Sequence, residues 1–600
     1  MKPLTIDFET YYSRDYSLRV MTTEEYIRGD EFEAIMLGYK FGDEPTQVVY
    51  RDDIPAFLDG VDWANTALVA YNTAFDAAIL NWRYGHRPAL YVDTMSMARP
   101  VLYPFTGSVA LKKVVEALGL GEKGTEVEDA LNMNYDDFSP DALLRYAGYC
   151  SNDVEITYNV YKMLVRLTPP DELRLIHEII RMYVEPVLAV DRELLDDALV
   201  ELIAEKDRVL DTALAYGAGR DVLMSNLRFA NWLEQNGVLP PTKPSPSNPL
   251  KTTYAFAKTD AGMAELCNHH DPVVATVAKA RVHAKSTIDQ TRMQRILDLT
   301  KETGIMSVPM GYYRAHTGRP GGTEKVNMLN LPRGSALRNA IMAPEGHSLI
   351  VADQAQIEAR MTAVLAGQDD LVKDFRDGID VYTAFAARLY NVPFQDVTKE
   401  QRFVGKVAIL SLGYGAGWIT YQKMLSNYGH IATDDVCRET VAKYRSINNS
   451  IVTLWKVADH WINHGLYQGN DIEAGPISIK KGRIILPNGM TLTYPKLHRQ
   501  TDGWVYYYGR EERRMYGPKL VENLVQALAW IVVSRQLIEI ARHHRVAHTV
   551  YDEIVCVVPD AEVTKACKTI EDIMTRPPPW MPNIPLKVDI AVCKRYGDAK

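Results

Sequence analysis

Acidic side chains at three places in this 600-residue chain have the type and spacing to hold a divalent cation. Asp7 and Glu9 stand two apart beside the apolar run Leu4 to Phe8, which predicts a strand. A period of two puts both carboxylates on one face, as two ligands of one metal cluster must be. Alone, D-x-E is common, and a solvated strand end is its commoner outcome. Asp353 follows the apolar run Ser348 to Ala352, so a buried strand anchors a carboxylate at its end. Asp552 and Glu553 lie between His548-Thr549-Val550 and Ile554 to Val558, a pattern that reads as a β-hairpin with carboxylates at its tip. Arg402, Lys406 and Leu410 recur every four residues in a block predicted helical from 399 to 460. Each such step advances the helix face by about 40°, so the three share a stripe running from basic to apolar. Cations at its start suit a triphosphate, and its apolar end suits a sugar and base. Standing alone, such a stripe reads as a solvated face.

The elements that must position these groups fall into blocks. Up to about residue 165, strand-like runs (Leu4 to Phe8, Ala34 to Tyr39, Ala67 to Tyr71) alternate with helical segments (Ala74 to Trp82, Leu111 to Leu118), which predicts an α/β unit. Thr168-Pro169-Pro170 breaks the chain, and a mostly helical stretch follows to about 305. The proline-rich segment Leu239 to Pro249 is expected to be a loop, since proline continues neither helix nor sheet. At about 150 residues per domain the length implies roughly four units. A composition of 47% hydrophobic and 24% charged residues is that of a soluble globular protein. The acidic start MKPLTIDFET lacks the apolar core of a signal peptide, and no apolar run is expected to reach a membrane span, so a cytoplasmic location without membrane contact is expected. Six scattered cysteines without a C-x-x-C pair indicate neither a disulfide framework nor a zinc site. The net charge of −9 argues against a protein that merely coats nucleic acid, yet leaves room for a basic channel beside clustered carboxylates.

Three segments in order, Asp7-Phe8-Glu9-Thr10, Tyr71-Asn72-Thr73-Ala74-Phe75-Asp76 and Tyr149-Cys150-Ser151-Asn152-Asp153, together resemble the three motifs of DEDD-family 3′-to-5′ exonucleases, in the subclass with a tyrosine four residues before the last aspartate. The resemblance implies a ribonuclease H-like exonuclease domain over 1–165. It makes Asp7, Glu9, Asp76 and Asp153 the metal ligands and Tyr149 the residue that orients the attacking water. Four carboxylates can hold two hard cations, and a tyrosine hydroxyl with its pKa near ~10 is better cast as a positioner than as a base.

Val351 to Arg360, with Asp353, Gln356 and Glu358, resembles motif A of family A DNA polymerases, the group of bacterial DNA polymerase I. Arg402 to Lys406, Leu410 and Tyr414-Gly415 resemble motif B, and Tyr551-Asp552-Glu553 resembles motif C. The resemblance implies a right-hand polymerase with the thumb and connecting helices at 166–305, palm at 306–395, fingers at 396–470 and palm again at 471–600. Asp353 and Asp552 would hold two Mg²⁺ ions, with Mn²⁺ as a substitute, and Glu553 would be a further catalytic acid beside them. Glu358 would be the steric gate against a 2′-hydroxyl, and Arg338, Gln356, Arg402, Lys406, Leu410 and Tyr414 would contact the nucleotide. Arg319, Asn327, Asn330, Gln526 and Tyr551 would contact primer-template DNA, as would Lys285, Ser286 and Thr287 at the thumb tip. The neighbouring cations Lys279, Arg281, Arg292 and Arg295 are expected to reach phosphates in part. Three residues depart from the family pattern: Gln354 and Leu410 replace aromatics, and Tyr551 replaces a histidine.

The resemblance covers nearly the whole chain and implies a monomeric, phage-type replicative enzyme that binds primer-template DNA, dNTPs and single-stranded 3′ ends. No clamp-recruiting segment is legible between Pro170 and Met306, so a processivity partner is not specified. A single-subunit RNA polymerase shares the two aspartates and the Arg/Lys/Tyr helix, but Glu358 and the first three motifs count against it. The intact carboxylates count against a DNA-binding scaffold with one inactive half.

Overall fold

The structure is a computed structural model that describes residues 1–121, 130–245 and 248–599. The N-terminal unit is built on a five-stranded sheet: β1 (Lys2–Thr10), β2 (Ala34–Phe41), β3 (Gln47–Tyr50), β4 (Thr66–Ala70) and β5 (Leu90–Asp93), in the order β3-β2-β1-β4-β5. The pairs β1·β2 and β2·β3 are antiparallel, whereas β1·β4 and β4·β5 are parallel. Helices α1 (Thr73–Trp82), α2 (Thr94–Thr106) and α3 (Pro140–Leu164) surround it. Their starts are written in the sequence: the Asp93 side chain caps α2 by accepting from Ser96 N–H, and Ser139 caps α3 in front of Pro140.

The following stretch is mostly helical, as expected, but the proline-rich segment is not a loop. Thr242–Ser245 (β6) and Asn248–Tyr254 (β7) pair as an antiparallel ribbon, with Pro244 opposite Thr252. In a two-stranded ribbon every strand is an edge, where a missing N–H costs no ladder bond. This stretch also holds a core of its own, containing Phe229, Trp232, Leu233, Phe256 and Met263. Helices α4 (Pro272–Lys285) and α5 (Ile288–Leu299) meet at its tip.

A short ribbon, β8 (Met310–Gly311) with β9 (Gly321–Gly322), precedes the palm sheet. That sheet comprises β10 (His347–Gln354), β11 (Arg545–Val550), β12 (Glu553–Pro559) and β13 (Val588–Cys593), in the order β11-β12-β10-β13, with all neighbours antiparallel. Helix α6 (Ile357–Ala366) leaves the end of β10. Helix α7 (Lys399–Leu412) opens an all-helical block, and two small antiparallel sheets between 472 and 515 join it to α8 (Gly517–Ala541). Against expectation, α8 is long and apolar enough to cross a membrane by length and composition; 78% of its most apolar window is buried inside the molecule. A helix apolar on all sides is here the central helix of a large core, packed beneath the palm.

Candidate active sites

In the N-terminal unit β1 carries Asp7 and Glu9 on one face, as the period of two predicts. Their carboxylates lie with the Cys150 thiol of α3 in a group whose ligand atoms are all within 4.8 Å of one another. Asp76 from α1 is fastened beside them, because its carboxylate accepts the Phe8 N–H at 3.1 Å. Burial, and after it the nearby Glu9 and Asp93 charges, push Asp76 up to about 8 even though backbone N–H groups oppose the shift. Asp153 and Tyr149 share the inner face of α3, and both are buried. Burial, then the charges of Asp153 and Glu9, raise Tyr149 and keep its hydroxyl protonated. The structure thus brings together all five residues that the sequence singled out here. It adds two that were not anticipated: Tyr146, whose hydroxyl donates to Glu9 at 2.6 Å, and Cys150, whose thiol donates to the Asp7 carbonyl at 3.5 Å. Their spacing on α3, Tyr146 three residues before Tyr149 and Cys150 three before Asp153, was the available signal.

In the palm, the Gln354 N–H donates to the Asp552 carbonyl at 3.0 Å, which ties the hairpin tip to the end of β10. Across the ladder Asp353 stands opposite Glu553 on one side and Asp589 on the other. Burial first, then the charge of Asp552, push Asp353 up to about 7. Asp552 is also raised, mainly by burial, with Glu358 adding to the shift and Arg319 opposing it. No ion pair reaches either carboxylate among the described residues. Glu553 is differently placed: the Tyr596 hydroxyl donates to it, Arg338 lies 3.6 Å away, and the Arg338 guanidinium stacks 3.9 Å from the Tyr596 ring. Arg338, expected at the nucleotide, is buried as the partner of this carboxylate.

Glu358 is no free surface residue. The Tyr414 hydroxyl donates to it at 2.9 Å and Arg319 pairs with its other oxygen. Tyr414 lies just past the end of α7, so this contact joins the helical block to α6. On α7, Arg402, Lys406 and Leu410 are all exposed, whereas Gly405, Val407, Ala408 and Ile409 are buried. The stripe exists. Gly405 lets α7 approach its neighbour, since a Cβ there would sit 2.4 Å from the Tyr382 carbonyl. Arg402 is partly committed to Asp380, and Lys406 has no partner among the described residues. Gln356 has φ of +52° at the turn into α6.

Gln354 points away from Asp353 into the core, donating to Gln536 at 3.0 Å and to the Met574 carbonyl. Its departure from the aromatic pattern therefore concerns a buried amide network behind the sheet. Tyr551 adopts φ of +56°, with its ring 5.6 Å from the Arg319 guanidinium. Lys285, Ser286 and Thr287 are exposed between α4 and α5, Asn330 is exposed, and Asn327 caps a short turn by accepting from Leu329 N–H. Gln526 lies half-buried on α8, where it donates to Glu522 at 3.3 Å. Arg281 is a correction to the expected phosphate-facing cluster. It is buried, donates to the carbonyls of Leu223 and Ser225, and stacks 4.5 Å from Phe229, since the small thumb core uses its long side chain as packing. Arg295 lies near Glu25, and Arg292 donates to the Asn330 carbonyl.

Residues 203–461 match the sequence model of DNA polymerase family A. The chain is 24% identical to the DNA polymerase of Bacillus phage SP02 over 692 aligned positions, spanning 99% of this chain and all of that protein. With the DNA polymerase I of Rhizobium leguminosarum it shares 24% identity over 92% of this chain but only 53% of the relative. With that of Pseudomonas aeruginosa it shares 32% over 26% of this chain and 17% of the relative. The chain thus spans about half or less of these bacterial relatives. Among solved structures it is similar to the POL domain of Pol1 from M. smegmatis in complex with DNA primer-template and dNTP, with a TM-score of 0.70, 17% identity, and coverage of 99% of this chain and 95% of that one. At that identity the likeness concerns the fold.

Proposed function

We propose that this chain is a DNA polymerase of family A that extends primer 3′ ends in its palm and removes mispaired ends by 3′-to-5′ hydrolysis in its N-terminal unit. The observation that carries the polymerase reading is the juxtaposition of Asp353 and Asp552. Two half-buried carboxylates whose pKa values are both raised, Asp353 in part by the charge of Asp552, with no cation paired to them among the described residues, are a site built for added positive charge. Their hard oxygen donors fit Mg²⁺ or Mn²⁺. Such ions, when bound, make the primer hydroxyl more acidic and neutralise the leaving pyrophosphate.

The chain's own groups do the rest. Lys406 and Arg402 attract the triphosphate, Leu410 and Tyr414 face the sugar, and Glu358, held by Tyr414 and Arg319, blocks a 2′-hydroxyl. Gln526 reads minor-groove acceptors common to all correct pairs, and the Lys285 to Thr287 turn meets the duplex backbone. Glu553 is a positioning residue, because Tyr596 and Arg338 occupy its carboxylate.

The proofreading reading rests on the convergence of Asp7, Glu9, Asp76 and Asp153 with Tyr149. The donor set again fits hard divalent ions, and Tyr149, kept protonated, holds the attacking water by a hydrogen bond. With this activity the chain acts on DNA in the cytoplasm, as a phage-type replicative enzyme.

The test is a pair of lesions assayed with Mg²⁺ on primer-template and on single-stranded DNA. Asp7→Ala should abolish degradation and spare extension, whereas Asp353→Asn or Asp552→Asn should do the reverse. Loss of both activities in a folded single variant would refute separate sites. Degradation that survives Asp7→Ala would refute the N-terminal ligand set.

A further inference from the structure

A cavity of about 100 Å³ lies where the N-terminal unit meets the β8·β9 ribbon, and its wall includes Asn72, Phe75, Asp93, Arg99, Arg314 and Glu324. Arg99 comes from α2 and is half-buried; Arg314 comes from the loop joining β8 to β9 and is exposed. Among the described residues neither guanidinium has an ion pair or a hydrogen bond. Burial lowers the Arg99 pKa, and the next contribution is the charge of Arg314, so the two cations sense each other across the cavity.

The two carboxylates in the wall are committed elsewhere. Asp93 accepts the N–H groups of Asn72 at 2.9 Å, Thr73 at 3.1 Å and Ser96 at 3.1 Å. Glu324 accepts Thr23 N–H at 2.8 Å and the Thr23 hydroxyl at 3.0 Å.

Arg314 is held in place rather than merely left over. Gly311 and Gly321 face each other in the ribbon, and the arginine stem lies across them. A Cβ on Gly311 would come within 2.9 Å of Arg314 Cδ, and one on Gly321 within 2.7 Å of Arg314 Cβ. Two like charges converging on one confined space repel each other. The Asp93 charge offsets part of this repulsion at Arg99, but its carboxylate is hydrogen-bonded to N–H groups and not to either guanidinium, so both arginines keep their donors free for an entering anion. Guanidinium groups match phosphate oxygens by paired charge-assisted hydrogen bonds.

We infer that Arg99 and Arg314 form a phosphate-binding pocket between the N-terminal unit and the polymerase body, which takes the phosphate of a DNA strand or of a free mononucleotide. The pocket does not depend on the hydrolytic role proposed for Asp7 and its neighbours.

The experiment uses the full chain in phosphate-free buffer with EDTA, so that no strand is degraded. Inorganic phosphate, dTMP and a fluorescent single-stranded oligothymidylate are titrated into the wild type, Arg314→Gln and Arg99→Gln, following melting temperature and anisotropy. Phosphate or dTMP should raise the melting temperature of the wild type and leave that of Arg314→Gln unmoved. Without ligand, Arg314→Gln should melt no lower than the wild type, since a repulsion has been removed. If a strand is the source, oligothymidylate binding weakens about tenfold in Arg314→Gln and its salt slope falls by roughly 0.7. If a mononucleotide is the source, the dTMP response is lost while oligothymidylate binding is kept. Equal responses of wild type and Arg314→Gln to all three probes overturn the pocket. Arg314 is exposed, so its variant decides the matter even if Arg99→Gln does not fold. Degradation surviving in Asp7→Ala would count against the hydrolytic reading alone and leave these titrations untouched.

Discussion

The contact between Tyr414 and Glu358 makes a quantitative expectation about sugar selection. Glu358 is one-third exposed and is held from two sides, by the Tyr414 hydroxyl at 2.9 Å and by Arg319. Removing the carboxylate in Glu358→Ala opens space of about one hydroxyl group. A size difference of that order is worth about 1–3 kcal/mol, or roughly ten- to two-hundredfold in the ratio of kcat/KM for rNTP over dNTP. Tyr414→Phe removes only the hydrogen bond. A bond to a charged acceptor is worth about 1.5–3 kcal/mol, and partial exposure places this one at the low end, with Arg319 still in position. The expected loss of discrimination is therefore about tenfold or less. Because Tyr414 acts through Glu358, the effects should not add: Glu358→Ala combined with Tyr414→Phe should discriminate no worse than Glu358→Ala. Single-turnover incorporation of matched rNTP and dNTP by the four proteins closes the cycle. Full additivity, or a larger effect of Tyr414→Phe than of Glu358→Ala, would refute the view that the tyrosine works by holding the gate.

Leu410, 47% exposed on the α7 stripe, offers no polar atom to replace a missing 3′-hydroxyl, so Leu410→Tyr should relax discrimination against dideoxynucleotides by roughly ten- to a hundredfold in the ddNTP to dNTP ratio of kcat/KM. An unchanged ratio would remove Leu410 from the sugar. Asp353, pushed up to about 7, must ionise when a cation binds, so Mg²⁺ or Mn²⁺ binding should release a proton and weaken as pH falls below 7. Calorimetry in buffers of different ionisation enthalpy measures that proton, and its absence would contradict the raised pKa. Burial lowers His177 and His548 to about 4 and His316 to about 3. Each is neutral in the fold and protonates more readily when unfolded, so its contribution is full above about pH 6.5 and is lost as pH falls toward 4, by roughly 3 kcal/mol per residue. Asp76, Asp353 and Asp552 act in the opposite sense when metal-free, as do the raised carboxyls of Glu24, Asp93, Glu172 and Glu178 with or without metal, so the fall in urea midpoint from pH 7 to 5 should be compared with Mg²⁺ present in the wild type and His548→Gln; a fall no smaller in the variant would refute the assignment.

The positions of Asp7, Glu9, Asp353 and Asp552 were legible because each belongs to a strand or turn whose apolar pattern is local. The stripe on α7 was legible for the same reason, since helix geometry alone decides which residues share a face. What could not be read were the partners supplied from far along the chain. Glu553 looked like a third catalytic acid, but Tyr596 lies 43 residues away in sequence and removes it from the pair. Arg281 looked like one more cation on a basic helix, yet Phe229 and the Leu223 carbonyl draw it into a core. Gln354 was an unexplained departure until Gln536, 182 residues distant, gave its amide a partner. The prolines near 244 argued correctly against a central strand but said nothing about a ribbon composed only of edges.

The palm ladder sets Asp353 between Glu553 and Asp589, in register on both sides. Strands cannot slide by arbitrary amounts. Their hydrogen bonds re-form only in whole-residue steps of about 3.4 Å, and a single step turns a side chain to the other face. The separation of Asp353 from Asp552, the residue just before β12, is therefore quantised: damage to this sheet leaves it correct or destroys it, with no graded series between. Substitutions in β10 and β12 should sort the molecules of a population into fully competent and wholly inert ones, lowering the active fraction while each working copy keeps its native rate.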